Sequence, residues 1–501
     1  MMNLMMSERM LDDGELPVKS VESRDPALDE FLEAARAHWD RVARRSERGH
    51  WAARLYHRRL EKIYRFAVAP GLRVIELGCG TGNLLAAVNP GCGIGVDLSP
   101  EMIERARERH PHLRFELYDA AEYRSDERYD VVIASDLVNN LFDVQRALEN
   151  ARRLCRPDGR LILNFFSHLW EKPLEWAGLV GQADPLPPQN WLAPTDVLNM
   201  LYLTGWDVVR STEDFLFPLP VPVVEPFFNR FLARLWPVKA LCLTNFIVAR
   251  PEPAAGSPAA SVEPSVSVII PARNEAGNVP SFFTRPPRMG SRTELIIVEG
   301  HSTDDTYATV EREIPKHPEW PARLFRQPGK GKADAVRLGF EKATGDILMI
   351  LDADLTVAPE DLPRFYRALV DGRGEFINGV RLVYPMEGRA MRFLNLLGNK
   401  FFSLAFSWLL GQSIKDTLCG TKVLYRKDYE KICANRAYFG DFDPFGDFDL
   451  IFGAAKLGLK IVDMPIRYRD RTYGDTNIHR WRHGLLLMRM VLFAARRIKF
   501  V

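Results

Sequence analysis

The run Pro251-Glu252-Pro253-Ala254-Ala255-Gly256-Ser257-Pro258-Ala259-Ala260-Ser261-Val262-Glu263-Pro264 divides this chain. Four prolines among small residues leave nothing to build a core from, so the run reads as a linker between two separately folded halves. On both sides, apolar strand-like runs alternate with helical spacing, the pattern of α/β domains with parallel sheets covered on both faces. A length of 501 residues fits that division, since one ordinary core does not grow so large. The expected organisation is a flexible lead-in at 1–24, a first domain at 25–251, a linker at 252–264 and a second domain at 265–501.

Composition narrows the class. An apolar fraction of 47% with 26% charged residues belongs to globular protein. A net charge of +2 gives no case for nucleic acid as partner. Cysteines 79, 92, 155, 242, 419 and 433 show no metal-ligand spacing, and scattered thiols suit a reducing, cytoplasmic setting. Met1 to Glu22 lacks the basic and apolar regions of a signal peptide. The best candidate membrane span, Phe393 to Leu410, is interrupted by Asn395, Gly398, Asn399, Lys400 and Ser403. The expectation is a protein that touches the inner face of a membrane without crossing it.

In the first half, residues 27–68 carry helical spacing, and strands are expected at 73–77, 92–96, 113–117, 130–134, 160–166, 206–210 and 243–249. The first strand runs into Glu76-Leu77-Gly78-Cys79-Gly80-Thr81-Gly82. Glycines at 78, 80 and 82 permit a tight turn and close approach of a ligand to the backbone. Asp97 ends the next strand, where an acid suits ribose hydroxyls, and Asp119-Ala120 follows the third, where an acid can meet an adenine amino group. A dinucleotide-binding dehydrogenase domain would share the glycine turn. With Asp97-Leu98-Ser99, Tyr129-Asp130-Val131-Val132-Ile133 and the Leu154 to Gly159 turn, the half resembles the class I S-adenosylmethionine-dependent methyltransferases over roughly 30–250. The resemblance implies that Glu76, Gly78, Gly80 and Gly82 frame the methionine part of S-adenosylmethionine. Asp97 with Leu98 would take the ribose, and Asp119 with Ala120 the adenine. The loop Ser135 to Asp143 is the expected wall of the methyl-acceptor site.

In the second half, strands are expected at 265–270, 293–298, 322–326, 346–351 and 374–380. The motifs Pro271-Ala272-Arg273-Asn274-Glu275, Glu299 to Thr306, Gly329-Lys330-Gly331-Lys332 and Asp352-Ala353-Asp354 all fall at the C-terminal ends of strands or just beyond. That edge is where open parallel sheets bind ligands. A sugar diphosphate leaves only when its charge is neutralised. Mg²⁺ or Mn²⁺ held by Asp352 and Asp354 would do this. The half resembles the inverting family-2 glycosyltransferases of GT-A fold, and among them the dolichyl- or polyprenyl-phosphate sugar synthases, over about 265–480. The resemblance implies that Pro271, Arg273, Glu275, Glu299, Lys330, Asp352, Ala353 and Arg471 contact the nucleotide-sugar. The family's Val-Asp-Asp-Gly-Ser run is here Val298-Glu299-Gly300-His301-Ser302, which leaves uridine or guanosine open. Lys415-Asp416 to Tyr425 resembles the acceptor-side motif. It makes Asp416 the first candidate base or positioning acid, and the Asp447-Phe448-Asp449 run, through Asp449, the second.

Arg482, Arg489 and Arg496 recur every seven residues beside Leu485, Leu486, Leu487 and Leu492. They form either a membrane-facing stripe or the solvated face of a packed helix. The expected protein is a bifunctional transferase. One half transfers methyl, and the other moves sugar from a nucleotide-sugar to a polyprenyl phosphate or glycan. A glycosyltransferase with a non-catalytic first half, or a non-catalytic scaffold, are the alternatives.

Overall fold

The computed structural model describes residues 25–44, 51–179, 187, 189–253, 263–381, 383, 393–439, 446–469, 471, 473 and 480–500, with side chains throughout except at 393–397 and 480–483. The lead-in 1–24 and linker residues 254–262 lie outside the described residues.

The first sheet contains β1 (Arg73–Leu77), β2 (Cys92–Asp97), β3 (Arg114–Leu117), β4 (Tyr129–Ser135), β5 (Cys155–Phe166), β6 (Trp206–Asp214) and β7 (Thr244–Pro251). The second contains β8 (Val266–Ala272), β9 (Thr293–Glu299), β10 (Ala322–Arg326), β11 (Ile347–Ile350), β12 (Phe376–Val380), β13 (Lys422–Tyr425) and β14 (Ile461–Pro465). Their orders are β3-β2-β1-β4-β5-β7-β6 and β10-β9-β8-β11-β13-β12-β14. In each sheet the chain winds outward from β1 or β8, then returns to the other side of that strand at β4 or β11. This reversal opens a crevice at the C-terminal ends of the central pair.

Continuous β-branched and aliphatic runs build these strands. β9 is buried at every position, as are β11 and β12, the signature of strands covered on both faces. Successive side chains serve opposite cores: Ile75 joins one cluster and Val74 the other, and Ile269 is separated from Val268 and Ile270 in the same way.

Neither sheet is wholly parallel, which corrects the sequence expectation. β7 runs antiparallel to β5 and β6, and β13 runs antiparallel to β11 and β12. Strand–helix alternation reports element type but not direction. The β6–β7 connection has no long helix to carry a crossover, so the chain turns back. β13 and β14 were not among the expected strands, and β13 lies inside the run that resembles an acceptor-side motif. The helical stretch at 27–68 is two helices, Pro26–Arg44 and Trp51–Ala67.

The two halves meet through a buried ion pair and through arginines that donate to backbone carbonyls across the seam. Arg160 forks onto both carboxylate oxygens of Glu375 at 2.8 Å and donates to the Gly458 carbonyl. Arg250 pairs with Asp207 and donates to the Gly372 carbonyl.

Candidate active sites

At the first crevice the backbone of the glycine turn folds back on β2. Gly78 and Cys79 N–H both donate to the Val96 carbonyl, at 2.8 and 3.0 Å. Gly78 and Gly82 have φ of +71° and +74°. A Cβ at Gly78 would strike Leu137 and one at Gly82 the Phe115 ring, so only glycine fits either place. The Gly78–Leu137 contact also seats the segment after β4 against the turn.

Asp97 accepts from Gly80 N–H at 2.8 Å and Ser99 N–H at 2.9 Å. Burial pushes its carboxyl up, while these N–H groups pull it back. Leu98 follows, partly buried. Asp119 lies one residue past Tyr118, whose N–H donates to the Asp97 carbonyl. The Asp119 carboxylate accepts from Ala121 N–H, and Ala120 is buried. Glu76 is 2% exposed, and its Oε2 has no hydrogen-bond partner among the described residues. Burial, opposed by the backbone at Leu85 and aided by Asp97, raises this carboxyl well above its usual range. A buried acid with an orphaned oxygen, beside a turn whose Gly78 and Gly82 admit no side chain, suits a cationic adenosyl ligand. The helix Pro26–Arg44 reaches across this edge: Asp40 accepts from Ser99 Oγ, and Phe31 packs on Phe142 beyond β4.

Asp136, just past β4, has a φ of +52°. Its Oδ1 accepts from Tyr56 OH at 2.8 Å and Asn164 Nδ2 at 2.5 Å. Tyr64 OH donates to Asn164 Oδ1, and Thr244 Oγ1 donates to Tyr56 OH. No hydrogen bond engages Oδ2 among the described residues. Burial pushes the carboxyl up to about 7, against the lowering effect of its two donors. This network joins residues up to 188 positions apart. Sequence reading reached only the Ser135–Asp143 loop.

At the second crevice, Asp352 and Asp354 follow β11. Lys332 Nζ lies 2.5 Å from Asp352, and Arg471 Nη2 lies 2.6 Å from Asp354. Burial would raise Asp352, but Lys332, Lys422 and Arg381 hold it below its ordinary value. Ala353 between the pair is buried. Gly420 lies against Asp352 and Lys332, where any Cβ would collide with both. Lys332 opens the helix Lys332–Lys342. Lys330, two residues earlier, is exposed on the loop, so the lysine brought to the carboxylates is Lys332.

Glu275 lies on the other flank. Its carboxylate accepts from Asn278 at 2.7 Å and stands 3.7 Å from Arg471. Burial pushes it up to about 7, against the lowering effect of Asn278 and Arg471. Pro271 is partly buried and Arg273 is exposed. Glu299 is 1% exposed and pairs with Arg326 at 3.2 Å while accepting from Ser302 N–H. Its carboxylate therefore already has protein partners where the sequence suggested contact with a base. Asn274, His301 and Leu355 all have φ between +51° and +57°. Together with Asp136, these strained residues stand just beyond strand ends on the ligand edges.

The acceptor-side acids are also paired. Asp416 is 3% exposed. It takes a bidentate pair from Arg381 at 2.7 and 2.9 Å, plus N–H bonds from Leu418 and Cys419. Burial would raise it, but Arg381 brings it below its usual range. It is a weak base in this state and a firm anchor for Arg381. Asp449 sits with Arg436 at 2.9 Å and Arg337 at 3.6 Å. Asp447 instead pairs with the fully buried Lys422, which also donates to the Cys419 carbonyl beside Gly420. The helix start thus turns Asp447, not Asp449, toward the crevice. Of the run Arg471-Thr472-Tyr473-Gly474, whose sequence resembles a diphosphate-binding lid, Thr472 and Gly474 lie outside the described residues.

Residues 69–197 match the model of a methyltransferase domain, and residues 267–433 match that of glycosyl transferase family 2. The chain is 28% identical over 219 residues to a dolichol-phosphate mannosyltransferase of Pyrococcus furiosus, covering 42% of this chain and 59% of that one. It is 28% identical over 231 residues to a polyprenol monophosphomannose synthase of Mycolicibacterium smegmatis, covering 44% of this chain and 85% of that one. Among solved structures, magnesium protoporphyrin IX methyltransferase from Synechocystis aligns over 45% of this chain and 98% of its own, at 18% identity and a TM-score of 0.31.

Proposed function

We propose that this chain, which joins a methyltransferase domain to a family 2 glycosyltransferase domain, transfers sugar from a nucleotide-sugar to a polyprenyl phosphate and methyl from S-adenosylmethionine to a second acceptor. The observation that carries the glycosyl half is the pairing of its acids. A hydroxyl acceptor needs a free base at the attacking oxygen. On the acceptor side, Asp416 and Asp447 are held by Arg381 and Lys422. A phosphate monoester arrives already ionised and needs no such base. Arg381, anchored by Asp416, would orient it. The named relatives support a lipid-phosphate acceptor.

On the donor side, Asp352 and Asp354 offer hard oxygen ligands suited to Mg²⁺ or Mn²⁺. Two carboxylates are the usual protein share when phosphates and waters complete the shell. The ion would neutralise the leaving diphosphate. Lys332 and Arg471, now held by those carboxylates, would face phosphate oxygens of a donor bound there. The test is release of nucleoside diphosphate from a panel of guanosine- and uridine-diphosphate sugars, with polyprenyl phosphate or a soluble glycan as acceptor. We expect turnover with polyprenyl phosphate and its loss in excess chelator. Full activity in chelator removes the metal role, and transfer only to soluble glycans removes the lipid role.

In the methyl half, Glu76 and the glycine turn would hold the methionine part, Asp97 the ribose, and Asp119 with Ala120 the adenine. The cofactor supplies an electrophilic methyl group. Asp136, with Oδ2 unengaged at the β4 edge, accepts the proton that a hydroxyl or amine acceptor gives up. Asp97→Ala should weaken S-adenosylmethionine binding at least tenfold by calorimetry, about 1.4 kcal/mol. Unchanged affinity would remove Asp97 from the ribose site.

A further inference from the structure

The connection from β6 to β7 is unusual in what it exposes. β6 ends at Asp214 opposite Thr244, and Thr244 in turn pairs with Phe166 at the end of β5. Residues 215–243 therefore leave and rejoin the sheet at the edge where β1, β4 and β5 end, the edge of the glycine turn and Asp136. Leu243 fastens this connection by accepting from Ser167 and donating to Phe215. Trp170 Nε1 donates to the Leu241 carbonyl.

The same connection turns large apolar side chains outward. Val223 and Trp236 are each 81% exposed, and Phe227 and Leu241 are more than half exposed. Folding alone does not explain this, because contiguous apolar surface left in water marks an interaction site. The surface continues into the second domain. Trp408 Nε1 donates to the Arg234 carbonyl, and Phe500 packs between Phe231 and Trp408. Beyond that seam, the helix Phe393–Leu410 exposes Leu404, and the helix Arg480–Ala494 exposes Leu485 and Leu492.

The charge on this face is mainly basic. Residues 216–242, 393–410 and 484–500 hold eight Lys and Arg against the single acid Glu225, in a chain whose overall charge is only +2, and of these Arg234 and Lys239 are paired with Asp214 and Glu213 at the end of β6. Glu225 is itself engaged by Asn229. At the seam, Arg210 and Lys499 make no hydrogen bond or ion pair among the described residues. Burial with Arg234 pushes Arg210 down to about 10, and burial with neighbouring Arg234, Arg210 and Lys239 pushes Lys499 down to about 8. Such crowding is relieved by an anion.

We propose that the β6–β7 connection of the methyltransferase domain docks on an anionic lipid bilayer together with the two exposed helices of the glycosyltransferase domain, so that the methyl acceptor is a molecule held in that bilayer. This rests on the lipid-phosphate reading of the glycosyl half and adds the methyl half to the same surface. Apolar insertion beside basic residues binds acyl chains and anionic headgroups at once, whereas a second copy of the chain would bring like charges together.

The test is co-sedimentation of the full chain with phosphatidylcholine vesicles, with and without phosphatidylglycerol. Wild type should pellet with the anionic vesicles and be released by salt. Val223→Asp with Trp236→Asp should weaken vesicle binding about tenfold or more. Both side chains are mostly in water already, so the thermal midpoint and S-adenosylmethionine affinity should not change. Leu485→Asp with Leu492→Asp probes the glycosyl half separately. If that pair releases the protein while the Val223/Trp236 pair binds as wild type, the proposal falls and the lipid-phosphate reading stands. Self-association of wild type without vesicle binding, abolished by the Val223/Trp236 pair, would overturn it in favour of a dimer face.

Discussion

Asp352→Asn is expected to lower sugar transfer by a factor on the order of 10²–10³ in kcat, the usual loss when one preorganised charge at a transition state is removed. Asp352 is where the second crevice concentrates its charge. Lys332 contacts it at 2.5 Å, and Lys422 and Arg381 also lower its proton affinity. The carboxylate sits against Gly420, where any Cβ would collide with it. Asparagine keeps the shape and removes the charge that would hold a dication. The fold should tolerate the change, because the Lys332 side chain is 31% exposed and can turn to water. Steady-state release of nucleoside diphosphate, beside a thermal melt, checks both statements. Loss of activity with an equal collapse in melting temperature would show a structural role instead.

Asp136→Asn should lower kcat for methyl transfer by about 10²–10⁴, the range for removing a positioned general base, with S-adenosylmethionine affinity unchanged. Burial places the Asp136 carboxyl at about 7. Its proton-accepting form therefore dominates above that pH and is lost below it. The wild-type rate should climb with pH to a plateau above about 7, and the asparagine variant should lose that limb. A flat wild-type profile, or a variant that fails to bind the cofactor, would remove Asp136 from the chemistry. Tyr56, Asn164 and Thr244 hold Asp136 and belong to its positioning rather than to the reaction.

Much of this architecture was legible in the chain itself. The buried runs at Val74–Leu77 and Ile347–Leu351, the glycines at 78 and 82, and the break at Pro251–Pro264 are local signals. Each follows from what a few neighbouring residues can or cannot do: alternate between two cores, adopt positive φ, or fill a core at all. Asp352 and Asp354 could be marked for the same reason, since two acids closing an apolar strand have few structural uses.

Direction and pairing were not local. Whether β7 and β13 run with or against their neighbours depends on partners far along the chain. So does the choice between Lys330 and Lys332, or between Asp447 and Asp449, because a helix start turns one residue inward and its neighbour to another face. Asp416 could be found as an acid beside a glycine motif, but only the fold reveals its bidentate union with Arg381, 35 residues away, which suits an anchor better than a base. The Asp136 network, drawn from the helix Trp51–Ala67 and from β5 and β7, could be assembled only by the fold. The sequence by itself determined two α/β units and the strand ends that carry their ligands. Only the tertiary structure decided which charges are neutralised and which oxygens stay open, because burial and ion pairing depend on distance in space rather than along the chain.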